Sequence, residues 1–246
     1  MNITGVDALG RVINTAEARD DSKTVGIFYN AALGFHDTSG IYDISKILAE
    51  YGSQAEEVLF FSDNAISPAG AYHYAAEPLY GYYKSADSYI AKKHVELLTA
   101  AGVDYLVCDV TNGWTYPAAV GNLLKYIVEL RGQGWDAPQV VYYAHSLNNK
   151  TVRELYSSMY SNPDYEEAWY KVDGKPVIIA YTDTEKDKAE AATRGVTDFS
   201  SSDYDPLSQE ILDYFYFVEP RWPNDTLPSL IGTPIYDPDK KTGYTN

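Results

Sequence analysis

The feature that most constrains the fold is a short apolar run between a helical segment and a polar cluster. Val103 to Cys108 is almost entirely apolar, which is typical of a strand buried on both faces of a parallel sheet. The run ends on Asp109, and Thr111 and Asn112 follow it. Because α/β folds bind ligands outside the carboxyl ends of their strands, these polar side chains predict a site for a polyhydroxylated ligand. The equally weighted alternative is that Asp109 caps the next helix or braces a loop.

Strand-like and helix-like segments alternate along the chain. Apolar spacing predicts helices between most of the strands, for example over Ser88–Ala101 and Ala118–Arg131. Such alternation is typical of a parallel sheet with right-handed crossovers. About six strands are visible where a closed barrel has eight, so the predicted fold class is α/β, a TIM-type (β/α)8 barrel that is either whole or incomplete at the C-terminus. The predicted strands are Val25–Tyr29, Val58–Phe61, Val103–Cys108, Pro138–Ala144, Lys175–Tyr181 and Leu212–Val218.

A doubly wound sheet is the competing architecture. Sheets of that kind usually carry a glycine-rich first turn that holds a nucleotide phosphate. The first predicted strand is followed instead by Asn30-Ala31-Ala32-Leu33-Gly34, which has neither GxGxxG nor P-loop spacing. The nucleotide-binding alternative is therefore disfavoured.

The domain organisation is predicted to be simple. The chain is expected to form one domain over residues 1–246, with a polar, irregular lead-in over 1–23 and an irregular tail over 224–246. Within the domain, the loop from Ser62 to Tyr83 is unusually long and rich in tyrosine. Loops of this length in a compact domain are usually functional.

The composition disfavours several classes of partner and site. A formal net charge of -16 at pH 7 argues against nucleic acids and anionic membranes as partners, and no apolar run approaches the length of a membrane span. Cys108 is the single cysteine, so a disulfide framework and a thiolate zinc site are excluded, and neither a metal nor a cofactor is predicted. Because the first residues lack a signal-peptide pattern, we expect a cytoplasmic protein, or a secreted or periplasmic one if a signal segment was removed.

Tyrosine is the outlier of the composition, at 24 of 246 residues. Its side chain combines a flat apolar face with a hydroxyl group, so an excess of tyrosine indicates hydrated aromatic surfaces. Sugar-binding clefts and protein interfaces both use such surfaces, and the composition alone does not choose between them.

Carboxylates are the chemical candidates in this chain. Glycoside hydrolysis uses two Asp or Glu residues that flank the scissile bond, one as acid and the other as base or nucleophile. Asp109 and Glu219 both follow predicted strands, and a barrel would bring such residues to one face. They are the predicted catalytic pair, with their individual roles open, whereas Asp43 and Asp63 are weaker candidates. For any one acid among 35, the alternative is a solvated surface charge.

Two segments, Glu77-Pro78-Leu79-Tyr80-Gly81-Tyr82-Tyr83 and Asp109-Val110-Thr111-Asn112, are the most specific parts of a wider pattern over most of residues 7–223. Together with Ile41–Glu50, they resemble a group of bacterial proteins similar to glycoside hydrolase families 71 and 99. The resemblance implies a (β/α)8 barrel that acts on polysaccharides or glycans without a metal. The two named families act on α-glucans and α-mannosides.

The chain departs from this pattern in two respects. Relatives carry tryptophans in the first loop and just before the Glu-Pro segment, where this chain has Asn30–Leu33 and Ala75-Ala76. Relatives also continue well past the position of Asn246, and the late barrel loops that carry catalytic carboxylates are expected to fall outside this sequence. The resemblance therefore does not transfer catalytic acids residue by residue.

The predicted function is hydrolysis of a glycosidic bond in an oligosaccharide or polysaccharide. One alternative is a non-catalytic carbohydrate-binding protein with a barrel fold, and a weaker one is a partner-binding module with an exposed aromatic patch. Trp114 and Tyr116 could stack on a sugar ring or pack in the core, and Arg221 could pair with Glu219 rather than hold a ligand. The predicted substrate-binding residues are His73, Glu77, Tyr82, Asn112, Trp114, His145 and Arg221.

Overall fold

The centre of the protein, seen in a computed structural model, is a parallel sheet whose strands are joined by helices. The structure describes residues 5–6, 9–13, 22–33, 40–61, 63–220, 236–237 and 242–243. The strands are β1 (Gly5–Val6), β2 (Val12–Ile13), β3 (Gly26–Tyr29), β4 (Tyr42–Asp43), β5 (His73–Tyr74), β6 (Tyr105–Val110), β7 (Gln139–Ala144), β8 (Lys171–Val172), β9 (Lys175–Ile179), β10 (Tyr216–Val218), β11 (Tyr236–Asp237) and β12 (Thr242–Gly243). The helices are α1 (Ile44–Tyr51), α2 (Ser88–Ala100), α3 (Pro117–Gly132), α4 (Asn148–Leu155), α5 (Thr184–Thr193) and α6 (Gln209–Tyr214).

The main sheet follows the chain from one edge to the other. Its strand order is β3-β6-β7-β9-β10, and every pairing along it is parallel. Each successive strand therefore adds to the same side, whereas a doubly wound sheet reverses direction at a switch point. This is the arrangement of an incomplete (β/α)8 barrel, and the predicted fold class is confirmed. A further strand, β8, pairs antiparallel with β9 across the Asp173-Gly174 turn.

Both faces of the central strands are buried, as the apolar run in β6 predicts. Leu106, Cys108 and Val110 point toward the helices and belong to the larger apolar cluster. Val107 belongs to a second cluster on the inner face of the sheet. Because successive side chains of a strand point to opposite faces, Asp109 shares that inner face.

The predicted second strand, Val58–Phe61, is wrong. Residues Glu57–Phe61 form a short π-helical turn, and β3 pairs directly with β6. The turn follows α1 after a connection of five residues, which begins with the 3₁₀ turn Gly52–Gln54. A four-residue apolar run does not distinguish a strand from a helical turn by periodicity. The turn leaves Phe60 and Phe61 at 76% and 68% exposure.

The predicted aromatic strand over Leu212–Val218 is wrong in its first half. Residues Gln209–Tyr214 form α6, and Ser208 caps this helix by accepting a hydrogen bond from the backbone N–H of Ile211. Only Tyr216–Val218 enters the sheet, as β10. The aromatic residues give the same local pattern in either state, so the serine cap was the informative signal.

Each terminal segment contains a short strand pair among its described residues. Within the lead-in, β1 pairs antiparallel with β2. Within the tail, β11 pairs antiparallel with β12. Among the described residues, no helix has the length and hydropathy needed to cross a membrane.

Trp169 gives a test of the core. Its side chain is fully buried and stacks on Tyr160 with ring centroids 4.0 Å apart. Trp169→Ala should lower the free energy of unfolding by about 3–5 kcal/mol, because it removes apolar contacts and leaves a cavity. Trp135→Ala, at an exposed position, is the matched control and should change the free energy by less than about 0.5 kcal/mol. Equal effects in urea unfolding experiments would contradict the stacked core described here.

Candidate functional site

The carboxyl edge of the sheet is where the loops after the parallel strands gather. In the register of the sheet, Asp109 pairs with Tyr143, Tyr143 pairs with Ile179, and Ile179 pairs with Val218. The residues just beyond this row begin the connecting loops. Several predicted site residues lie in or just after the row, as the alternation of strands and helices predicts.

A pocket opens at this edge between the loop after β6 and the start of α4. Its volume is about 470 Å³. Two predicted substrate-binding residues, Asn112 and Trp114, line it. The lining also includes Tyr116, Leu147, Lys150 and Glu154. We call this cavity the Trp114 pocket.

Two residues that line the Trp114 pocket have unusual backbone conformations. Tyr116 has a φ of 48° and Leu147 a φ of 49°, in the left-handed region that favours glycine. Such conformations cost of order 1–3 kcal/mol and cluster at functional sites. Tyr116 is held by Asn112, whose side-chain amide donates to the Tyr116 hydroxyl over 2.6 Å. The backbone is therefore locally strained in both of the loops that line the pocket.

The two aromatic residues of the β6 loop have opposite environments. Trp114 is 52% exposed, whereas Tyr116 is 4% exposed. The backbone N–H of Trp114 donates to the side-chain oxygen of Asn112 over 3.0 Å, so Asn112 contacts both residues. Trp114 thus offers an aromatic surface to the pocket, and Tyr116 belongs to the core.

Two further residues, Lys150 and Glu154, were not predicted from the sequence and face the same pocket from α4. Helix α4 begins at Asn148. Residues four apart on a helix lie on one face, and this spacing directly after β7 was the available signal. Lys150 also lies 3.8 Å from Asp203. The pocket thus carries a cation and a carboxylate beside an aromatic ring.

A buried polar network fixes the start of α4. The carboxylate of Asp187, fully buried, accepts hydrogen bonds from the backbone N–H groups of Asn148 and Asn149 over 2.9 and 3.1 Å. The side chain of Asn148 in turn bonds both the N–H and the carbonyl of Tyr181. Burial raises the pKa of Asp187 above its usual value of 3.8, against the hydrogen bonds that lower it. The network ties α4 to α5 and the end of β9.

His145, predicted to bind substrate, is buried at the end of β7. It is 6% exposed, and its Nδ1 lies 3.6 Å from Glu190. Its ring packs 5.6 Å from that of Tyr181. Burial lowers the pKa of His145 below 6.5. Its placement fits a residue that supports the loops, close to the carboxyl edge but packed beneath it.

The predicted catalytic pair lies on strands that are not neighbours. Asp109 Oδ1 accepts hydrogen bonds from both the backbone and the hydroxyl of Thr111, so it braces its loop. Glu219 forms an ion pair with Lys186 and lines a second cavity of about 190 Å³ at the ends of β9 and β10. Since β7 and β9 lie between the two acids, their backbones are about 14 Å apart along the sheet.

Two other predicted residues, Glu77 and Tyr82, meet in a separate cluster beside α1. The Tyr82 hydroxyl donates to Asp43 Oδ2 over 2.6 Å, and Lys46 Nζ lies 3.0 Å from Glu77 Oε2. The hydroxyls of Ser45 and Tyr82 lower the pKa of Asp43 from 3.8 to about 2. The pKa of Lys46 is raised, most by its hydrogen bond to the Tyr82 hydroxyl and next by its hydrogen bond to Glu77. Asp43, a weaker candidate in the sequence, is the centre of this cluster.

His73 lies next to this cluster in β5 but makes different contacts. It pairs with Tyr42 in the small parallel sheet of β4 and β5, and the two rings are 5.4 Å apart. Its Nε2 lies 2.8 Å from Ser67 Oγ. His73, Glu77 and Tyr82 are absent from the lining of the Trp114 pocket. The remaining predicted residue, Arg221, lies outside the described residues.

Within the described ranges, no group of three or more His, Cys, Asp or Glu side chains could hold a metal ion. Cys108 is a free, buried thiol, and burial raises its pKa to about 12.

Comparisons with known proteins find likenesses of fold. No family model matches the chain, and no curated protein matches it. Among solved structures, the GH99 endo-α-mannosidase from Bacteroides thetaiotaomicron is 18% identical, with 82% of this chain and 57% of that chain covered and a TM-score of 0.44. The same enzyme in complex with Bis-Tris-propane is 19% identical, with 58% and 42% covered and a TM-score of 0.36. A glycoside hydrolase-like protein is 14% identical, with 85% and 54% covered and a TM-score of 0.35.

The matched structures are thus glycoside hydrolases or similar to them, and the chain spans about half of their length. At these identities they do not assign the chain to family 71 or 99. At TM-scores below 0.5 they carry no argument about activity, which depends on the site itself.

The Tyr82–Asp43 hydrogen bond gives a prediction for acid stability. Because the pKa of Asp43 is lower in the folded protein, its stabilising contribution is present above pH 3.8 and is lost as the pH falls toward about 2. Tyr82→Phe should therefore lower the free energy of unfolding near neutral pH, and the deficit should shrink in acid. Urea unfolding as a function of pH measures this. Tyr80→Phe, in the same loop, should show no such trend, and a deficit for Tyr82→Phe that is independent of pH would refute the assignment.

Proposed function

We propose that this protein binds a glycan chain at the carboxyl edge of its sheet and cleaves a glycosidic bond there. The observation that carries the proposal is the Trp114 pocket. An exposed indole face beside an amide, an ammonium and a carboxylate is suited to a sugar, whose ring has apolar faces and hydroxyl edges. Asn112, Lys150 and Glu154 supply the polar groups around Trp114.

The position of the pocket also supports this proposal. It lies on the loops after β6 and β7, and α/β barrels bind ligands on the loops that follow their strands. The second cavity, with Glu219 and Lys186, lies farther along the same edge after β9 and β10. An oligosaccharide is long enough to contact both cavities, whereas a single small metabolite would fill only one.

In the catalytic form of the proposal, Asp109 and Glu219 serve as the two carboxylates. Retaining enzymes hold their carboxyl groups about 5–5.5 Å apart, and inverting enzymes about 6.5–9.5 Å apart. Because the backbones of the two acids lie about 14 Å apart, their carboxyl groups reach the separation of inverting enzymes more readily than that of retaining enzymes. We therefore propose inversion, with a water molecule between the sugar and the acid that serves as base.

A second candidate function is glycan binding without cleavage. Two observations favour it: Asp109 is engaged by Thr111, and Glu219 is engaged by Lys186. A carboxylate that braces a loop does not need to react. The two candidates share the Trp114 pocket and differ only in turnover.

Trp114→Ala tests the binding step that both candidates share. Loss of the stacking surface should weaken the binding of α-linked gluco- and manno-oligosaccharides about tenfold, which corresponds to about 1.4 kcal/mol, measured by calorimetry. Trp135→Ala is the matched control, because Trp135 is also exposed but precedes β7 at the opposite end of the strand. Equal affinities in the two variants would exclude the Trp114 pocket as the sugar site.

Asp109→Asn and Glu219→Gln test the cleavage step. If the two acids act as an acid and a base, each variant should lose about 10²–10⁴-fold in the release of reducing ends, while binding is retained. Asparagine preserves an acceptor for Thr111, so the loop should keep its shape. Glu129→Gln, at an exposed position of α3, is the control that should keep full activity. Binding without release of reducing ends in the parent protein would select the non-catalytic candidate.

A further inference from the structure

Ser67 and His73 form a hydrogen-bonded pair within the long connection between β3 and α2. The Ser67 Oγ lies 2.8 Å from His73 Nε2. On the other side of the ring, His73 Nδ1 lies 2.9 Å from the carbonyl oxygen of Ala71. The pair thus forms the first two members of a three-member chain that runs from hydroxyl to imidazole to carbonyl.

The identity of the third member fixes the direction of the hydrogen bonds. A carbonyl oxygen can only accept, so the proton of a neutral His73 resides on Nδ1 and is donated to Ala71. The lone pair of Nε2 then accepts the proton of the Ser67 hydroxyl. This is the polarity that a serine nucleophile needs from its base, with the base oriented by a third group.

The pair faces a cavity of about 370 Å³ that is separate from the Trp114 pocket. Ser67 is 4% exposed to bulk solvent yet lines this cavity together with His73 and Asp63. Phe60 and Phe61 form an apolar part of the lining. A buried hydroxyl beside an apolar wall suits the acyl group of an ester more than a free sugar.

Local hydrogen bonds hold the two side chains in place. The side-chain oxygen of Asn64 accepts from the backbone N–H groups of Ile66 and Ser67 over 2.9 and 2.8 Å. Asp63 accepts from the backbone N–H of Ala69 over 3.1 Å. His73 is fixed by its place in β5, opposite Tyr42. Preorganisation of this kind is what nucleophilic catalysis requires.

We propose that Ser67 and His73 are a nucleophile and general base that hydrolyse a small carboxylic ester. Ser67 Oγ attacks the ester carbonyl carbon, its proton passes to His73 Nε2, and the carbon–oxygen bond to the alcohol breaks as His73 returns the proton to the leaving oxygen. Water, activated by His73, then attacks the acyl-serine, which releases the acid and restores the Ser67 hydroxyl. This activity does not depend on the glycan site.

The first test uses the full chain with p-nitrophenyl acetate and a fluorophosphonate probe. The parent protein should release nitrophenol and carry the probe on Ser67, identified by peptide mass spectrometry. Ser67→Ala and His73→Gln should each lower hydrolysis by at least about 100-fold. Ser85→Ala, at a second buried serine, is the control that should keep the parent rate. A folded parent protein that neither hydrolyses the ester nor takes the probe would overturn the proposal.

A second test holds even if Ser67→Ala fails to fold. Ser67→Cys keeps the size of the side chain, and the native thiol Cys108 is buried, so iodoacetamide reports on the introduced thiol. The thiol of Ser67→Cys should react at least tenfold faster than that of Ser85→Cys. Combining Ser67→Cys with His73→Gln should remove the difference. Equal rates in the two thiol variants would show that His73 does not activate position 67.

Discussion

The buried carboxylate of Asp187 is the interaction on which the carboxyl edge of the sheet depends. It binds the first two backbone N–H groups of α4, where the helix leaves donors without intrahelical partners and the dipole favours negative charge. Asn148 links the same point to Tyr181 at the end of β9. If this network were broken, α4 would lose its anchor, and Lys150 and Glu154 would lose their place in the Trp114 pocket. Burial works against the charge of Asp187, and the two backbone donors offset that cost.

The candidate polar residues that the structure describes form four separate groups rather than one site. The Trp114 pocket and the Glu219 cavity lie on the loops of the sheet. The Asp43 cluster and the Ser67–His73 pair belong to the long connection between β3 and α2. That connection is tied to the sheet through His94, which contacts Tyr29 at the end of β3 and the ring of Tyr83. The sheet therefore supports two regions of distinct chemistry: one suited to hydroxyl-rich ligands, the other to an activated serine.

The sequence predicted the helices and buried strands well where the apolar pattern was long. The segments of β6, β7 and α3 were each identified within a few residues, because burial on both faces of a strand or along one face of a helix leaves a clear pattern. Short runs were not decisive: Val58–Phe61 has a strand-like composition and is a helical turn. Asn112 and Trp114 were found because they follow a strand, but Lys150 and Glu154 were missed because they lie in a helix with ordinary surface composition.

The sequence by itself determined the alternation of strands and helices, the burial of Cys108, the polar ends of the strands and the negative charge. All of these follow from the order of apolar and polar residues along the chain. Only the tertiary structure decided that Trp114 is exposed and Tyr116 buried, and that His145 packs beneath the edge against Tyr181 and Glu190. These outcomes depend on which side chains meet across the fold. Contacts between residues that are distant in sequence leave no mark in local composition, whereas burial along a strand or helix does.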